Sequence, residues 1–172
     1  DIIDSGAGND TVLGGGGDDL IANHSGEDMI DSGAGDDVID SGDDDDIVIG
    51  NFGNDIISLG SGDDIAFGAE DNDTIIAGAG SDFIDGGVGT DVLQGENGDD
   101  LISGGQGNDF LEGGLGDDDL IGGDGDDSLL GGMDNDFLYG EDGSDELYGS
   151  YGDDILFGGD GTDILEGGQG ND

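Results

Sequence analysis

An aspartate returns at every ninth residue without a break: Asp1, Asp10, Asp19, Asp28, Asp37, Asp46, Asp55, Asp64, Asp73, Asp82, Asp91, Asp100, Asp109, Asp118, Asp127, Asp136, Asp145, Asp154, Asp163 and Asp172. The residue before it always carries a side-chain oxygen. It is Asn or Asp at Asn9, Asp18, Asp36, Asp45, Asn54, Asp63, Asn72, Asp99, Asn108, Asp117, Asp126, Asn135 and Asp153, and Glu, Ser or Thr at positions such as Glu27, Ser81 and Thr90. There is no Cys and one His, so thiolate sites are absent and only oxygen ligands are plentiful. Hard oxygen donors in a flexible backbone suit Ca²⁺, which takes six to eight of them, better than the smaller, water-retaining Mg²⁺. Paired acids such as Asp99 and Asp100 could also suggest a glycosidase dyad. The same pair recurs along the chain, however, and active sites do not repeat. The lone His24 has no Ser or Cys arrangement to serve and is expected on a turn surface. No enzymatic activity is expected of this segment.

Written in rows of nine from Ser5, the sequence gives eighteen complete rows and six final residues, with no insertion or deletion. Position 6 of the row is the invariant Asp. Position 8 is Ile, Leu or Val in every row but one, where Ala66 stands. Position 4 is Gly except at Asp44, Asp71 and Asp134, and positions 1 and 2 are mostly Gly. Positions 1 to 6 therefore read as a turn, with Gly where positive φ or close backbone approach is needed. Positions 7 to 9 read as a short strand whose middle residue faces inward. Such a strand is stable only when stacked. Two rows make a coil of 18 residues, with strands on opposite walls and position-8 side chains meeting between them. Nine to ten coils at about 4.8 Å spacing give a rod of roughly 45 Å. Helix is implausible, because Gly recurs every few residues and no 3.6-residue apolar period exists.

The chain carries 47 Asp and Glu and no Lys or Arg, for a formal charge of −47. Acidic chains of this kind are ordinarily disordered, but the regular apolar column argues against that here. Stacking brings turn over turn, and like carboxylates a few ångströms apart cannot all stay ionised. A cation between turns resolves the conflict. Nineteen turns in stacks of ten and nine offer about seventeen inter-turn sites; seventeen divalent ions would leave about −13 of the −47. Without cationic side chains, binding to nucleic acid or directly to anionic membrane is not expected.

Rows such as 104–112 (GGQGNDFLE) and 158–166 (GGDGTDILE) match the nonapeptide GGxGxDxUx. The chain resembles the RTX, or repeats-in-toxin, family over its whole length. The resemblance implies an all-β parallel β-roll, a right-handed β-solenoid, with calcium between turns n and n+2. It implies that the position-6 carboxylates are ligands, with position 5 contributing in some sites. Turn carbonyls complete the set, drawn from Gly6, Gly8, Gly15, Gly17, Gly33, Gly35, Gly87, Gly89, Gly105, Gly107, Gly114, Gly116, Gly123, Gly125, Gly159 and Gly161. It also implies type I secretion into a calcium-rich medium.

Weaker or strained sites are expected at Asp44, Asp71 and Asp134, and at Glu27, Glu96 and Glu141, where larger residues replace the usual ones. One outward wall is rich in apolar residues, including Ile47, Ile49, Ile65, Phe67, Phe83, Phe137, Tyr139, Ile155 and Phe157, while the other is more polar. That wall is either β-propensity or an assembly surface, lateral or end to end. The start at Asp1 and the absence of capping repeats point to residues 1–172 being one repeat domain within a longer protein or assembly. The leading functional expectation is an extracellular calcium-binding structural module of an adhesin, surface layer or filament. Alternatives are the repeat region of a type I-secreted toxin or hydrolase and an acidic calcium buffer that never folds.

Overall fold

A computed structural model describes all 172 residues. Its nineteen β-strands run from β1 (Ile2–Ala7) and β2 (Thr11–Gly16) to β18 (Ile155–Gly161) and β19 (Ile164–Gln169), with no helix. The ten odd-numbered strands form one parallel sheet and the nine even-numbered strands another. Each strand pairs with the strand two places on, so 18 residues advance the chain by one coil: Phe83 lies beside Leu101 and Ile84 beside Ile102. The parallel solenoid of 18-residue coils stands as the sequence predicts.

The strands are longer than the three residues expected. Position 7 through position 3 of the next row is extended, as in Leu101–Gln106. Pairing runs through positions 7, 8, 9, 2 and 3 but skips position 1, where each strand turns a corner. Alternation carries across that corner, so positions 6, 8 and 1 all face inward.

The core is therefore two columns of position-8 residues, fully buried from Ile21 to Leu147, to which position 1 adds Leu59 and Ala77. Leu59 belongs to the same coil as Ala66, the one small residue in the position-8 column. In a close-packed interior the extra volume at one inward site can offset the deficit at the other.

The apolar outward residues named above all lie on the nine-stranded sheet, where Phe67 and Phe83 meet at 5.7 Å and Tyr139 stacks on Phe157 at 5.1 Å. These rings bridge neighbouring coils as cross-strand pairs.

The pairing of Leu59 with Ala66 has a measurable consequence in calcium-loaded protein. Leu59→Ala should cost roughly 2–5 kcal/mol by leaving a cavity. Ala66→Leu should cost roughly 1–3 kcal/mol by overpacking. The double variant, compared by urea unfolding, should lose clearly less than the sum of the two. Strict additivity would show that the two sites do not share volume.

Candidate metal centre

Inward-facing position 6 buries a carboxylate in nearly every turn. From Asp19 to Asp154 each of these aspartates is 4% exposed or less. Its Oδ1 accepts a hydrogen bond from the backbone N–H of the position-6 aspartate one coil earlier. Asp55 N–H donates to Asp73 Oδ1 at 2.8 Å and Asp73 N–H to Asp91 Oδ1 at 2.7 Å. The second oxygen is the anomaly. Oδ2 of Asp10, Asp19 and every such aspartate from Asp37 to Asp154 is buried and accepts no hydrogen bond. Sixteen orphaned anionic oxygens far exceed the few unsatisfied groups a folded chain tolerates.

Glycine at position 1 makes room for this oxygen. A side chain begun at Gly104 would come within 2.5 Å of Asp109 Oδ2 and 2.6 Å of the Gly122 carbonyl oxygen on the next coil. At position 4, a side chain begun on Gly35, which has φ +134°, would meet the Gly17 carbonyl oxygen at 2.6 Å. Asp44, Asp71 and Asp134 fit the same place at φ near +76°. The expected conformational departure at these three is thus present, and it extends at position 2 to Glu96 and Glu141, with φ of 72° and 75°. Non-glycine residues reach this region only against steric resistance.

The backbone donors at positions 6 and 7 are engaged in every stacked turn, and most of those at positions 4 and 5 are too. Position-5 side chains reach forward one coil as position-6 side chains reach back. Asp63 N–H donates to Asp45 Oδ1 at 2.9 Å, and Ser81 N–H to Asp63 Oδ1 at 2.9 Å. Position-4 N–H groups donate to position-3 carbonyls of the next coil, as Gly107 does to Asp124, and position-7 N–H groups to position-6 carbonyls of the coil before. The acceptors tell the opposite story. Among the 28 backbone hydrogen bonds outside regular pairing, every accepting carbonyl is at position 3 or 6. The carbonyls of Gly8, Gly17, Gly35, Gly89, Gly107, Gly116 and Gly125, and those of position 5 beside them, accept none of these bonds. The position-2 residues Gly6, Gly15, Gly33, Gly87, Gly105, Gly114, Gly123 and Gly159, together with Gly161, lie inside strands rather than turns.

Nowhere do three or more His, Cys, Asp or Glu side chains converge. A cation here would be held by one or two carboxylates supplemented by backbone carbonyls, a donor set that fits Ca²⁺. When bound, such an ion supplies the positive charge that the buried Oδ2 oxygens lack.

Burial pushes the position-6 carboxyls up from 3.8, to about 7 at Asp64, Asp73, Asp100, Asp118 and Asp136. Asp46, Asp55, Asp109 and Asp127 rise to about 6. Loss of water is the main cause. The backbone N–H from the preceding coil works against it, and neighbouring carboxylates raise the value further. Below 3.8 both folded and unfolded states hold these protons, so ionisation costs the metal-free fold nothing. As pH rises through about 7 the folded state must ionise buried groups that ionise freely when unfolded, and stability is lost. Metal-free protein should therefore show most strand signal by circular dichroism near pH 4 and lose it by about pH 7.5. A chelated sample whose signal strengthens over that rise would contradict the burial argument.

Stacked loops in which sixteen buried carboxylates each keep one oxygen without a donor define a parallel β-solenoid of the cation-binding type. Six matches to the RTX calcium-binding nonapeptide repeat, at residues 1–30, 23–57, 58–93, 85–120, 112–147 and 139–172, span the chain, which belongs to that family. It is a calcium-binding repeat module. Among curated proteins, none matches the chain.

Position 1 is what sequence reasoning missed. Its inward orientation follows from counting the strand's alternation past the row boundary, and the apolar Leu59 and Ala77 were the visible signal.

Proposed function

We propose that this chain is an extracellular structural module that collapses into a rod only when calcium fills its stacked turns. The position-6 aspartates Asp10, Asp19 and Asp37 to Asp172 are the principal ligands, joined by free position-4 and position-5 carbonyls and some position-5 side chains. The observation that carries this reading is the row of sixteen buried Oδ2 oxygens without a donor. A chain of −47 charge has no internal cation to neutralise them. Coupling of folding to metal supports a secreted protein: unfolded where calcium is scarce, folded where it is abundant. Residues 1–172 act in this reading as one repeat domain in a larger adhesin, surface layer or filament. A repeat region attached to a secreted toxin or hydrolase would use the same physics.

Calcium titration at neutral pH, followed by circular dichroism, should convert a disordered spectrum into a strand spectrum cooperatively, and chelation should reverse it. Magnesium at equal concentration should be a poor substitute. Asp100→Asn keeps an oxygen for the Asp82 N–H but removes the charge, so it should lower the number of bound ions by one. A chelated wild-type sample that keeps its strand content at pH 7.5 would overturn the proposal.

The apolar wall of the nine-stranded sheet supports lateral packing of copies once calcium has removed most of the charge. Sedimentation velocity with calcium should then show concentration-dependent association that Phe67→Ser and Phe157→Ser weaken. A strictly monomeric rod at high concentration would reject it.

A further inference from the structure

One turn in the solenoid is built differently. Asp28 is the single position-6 aspartate between Asp10 and Asp154 whose Oδ2 has a donor: Asn23 Nδ2 donates to it at 3.0 Å. Oδ1 of the same carboxylate accepts from Asp10 N–H at 2.7 Å, so both oxygens are satisfied by the protein. Asn23 is 3% exposed, with its own Oδ1 buried and without a donor, and stands at inward position 1, the place glycine leaves open in most other turns.

The backbone departs at the same point. Every other position-2 residue, from Gly6 to Gly168, has positive φ, but His24 does not. Pairing between β1 and β3 (Leu20–Ser25) slips here, with Gly6 beside Asn23 rather than His24. Pairing of β3 with β5 (Val38–Asp43) omits His24, although position 2 is paired in the regular strands.

We propose that the turn 23–28 is a metal-independent link, in which the Asn23 amide takes the place that a calcium ion holds beside the position-6 carboxylate elsewhere. An amide N–H donor satisfies a carboxylate oxygen but repels a cation placed against the same atom. The full set of stacked turns therefore binds fewer ions than it has turn pairs, and Asn23 decides where the gap lies. This inference rests on the calcium reading above.

The test is ion counting by native mass spectrometry on the full chain at saturating calcium, comparing wild type with Asn23→Gly and with the double variant Asn23→Gly, His24→Gly. Both variants move the turn toward the repeat pattern and should fold, which circular dichroism checks. One additional calcium ion in at least the double variant is the expected result. Equal counts in wild type and both variants, with calcium bound, would overturn this inference alone. A lower count in the variants would also overturn it, by showing that Asn23 contributes to a site. No calcium bound by any of the three would overturn the calcium reading itself.

Discussion

The structure depends on burying an anion in every turn. Regular alternation gives position 6 no choice: a strand that sends position 8 into the core sends position 6 inward two residues earlier. Stacking at the spacing of a parallel sheet then places one carboxylate above another through the length of the solenoid. From Asp37 to Asp154 each position-6 aspartate is held by one backbone N–H and left with one bare oxygen. Removing one charge-compensating partner from a buried ionic group is among the costliest changes a protein can make, and here the lack is repeated sixteen times. The hydrophobic columns are narrow, one residue wide on each wall, and cannot offset that cost by themselves. Fold and cation are consequently one problem rather than two.

The division of labour within the nonapeptide follows from the same constraint. Most turn N–H groups are used in binding coil to coil, by side chains at positions 5 and 6 and by carbonyls at positions 3 and 6. The carbonyls of positions 4 and 5 are what remain. A turn that consumes its donors and leaves its acceptors is polarised toward cations, without three acidic side chains ever meeting. Acidity alone would not achieve this. It needs glycine at position 1, so that the carboxylate can lie against the backbone, and a left-handed residue at position 2, so that the strand can turn its corner.

Much of this was legible in the sequence. The invariant Asp and the Ile, Leu or Val column fixed the 18-residue coil, the parallel pairing and the inward face, because a pattern without insertions admits only one register. The strained positions Asp44, Asp71, Asp134, Glu96 and Glu141 were visible as breaks in glycine columns. What was not legible was the extension of each strand through position 3, since Gly-rich residues carry no strand signal of their own and are held extended only by neighbours above and below. The inward direction of position 1 was hidden for the same reason: a column of glycine has no side chain to show where it points. The free carbonyls at positions 4 and 5 were invisible in principle, because only the hydrogen-bond pattern reveals which acceptors are left over.

The exceptions at position 1 show how far the repeat can vary. In one stack the first five turns carry Ser5, Asn23, Ser41, Leu59 and Ala77, while the remaining five carry glycine. Ser41 donates to the Leu59 carbonyl oxygen at 2.8 Å, so a hydroxyl there ties one coil to the next. Leu59 and Ala77 are fully buried and extend the hydrophobic column into space that elsewhere belongs to the turn. This end of the stack thus gains protein-made cohesion that the glycine turns lack. The two ends of the solenoid differ in how much of their stability comes from packing and hydrogen bonds and how much from ions, although the nonapeptide frame runs through both unchanged.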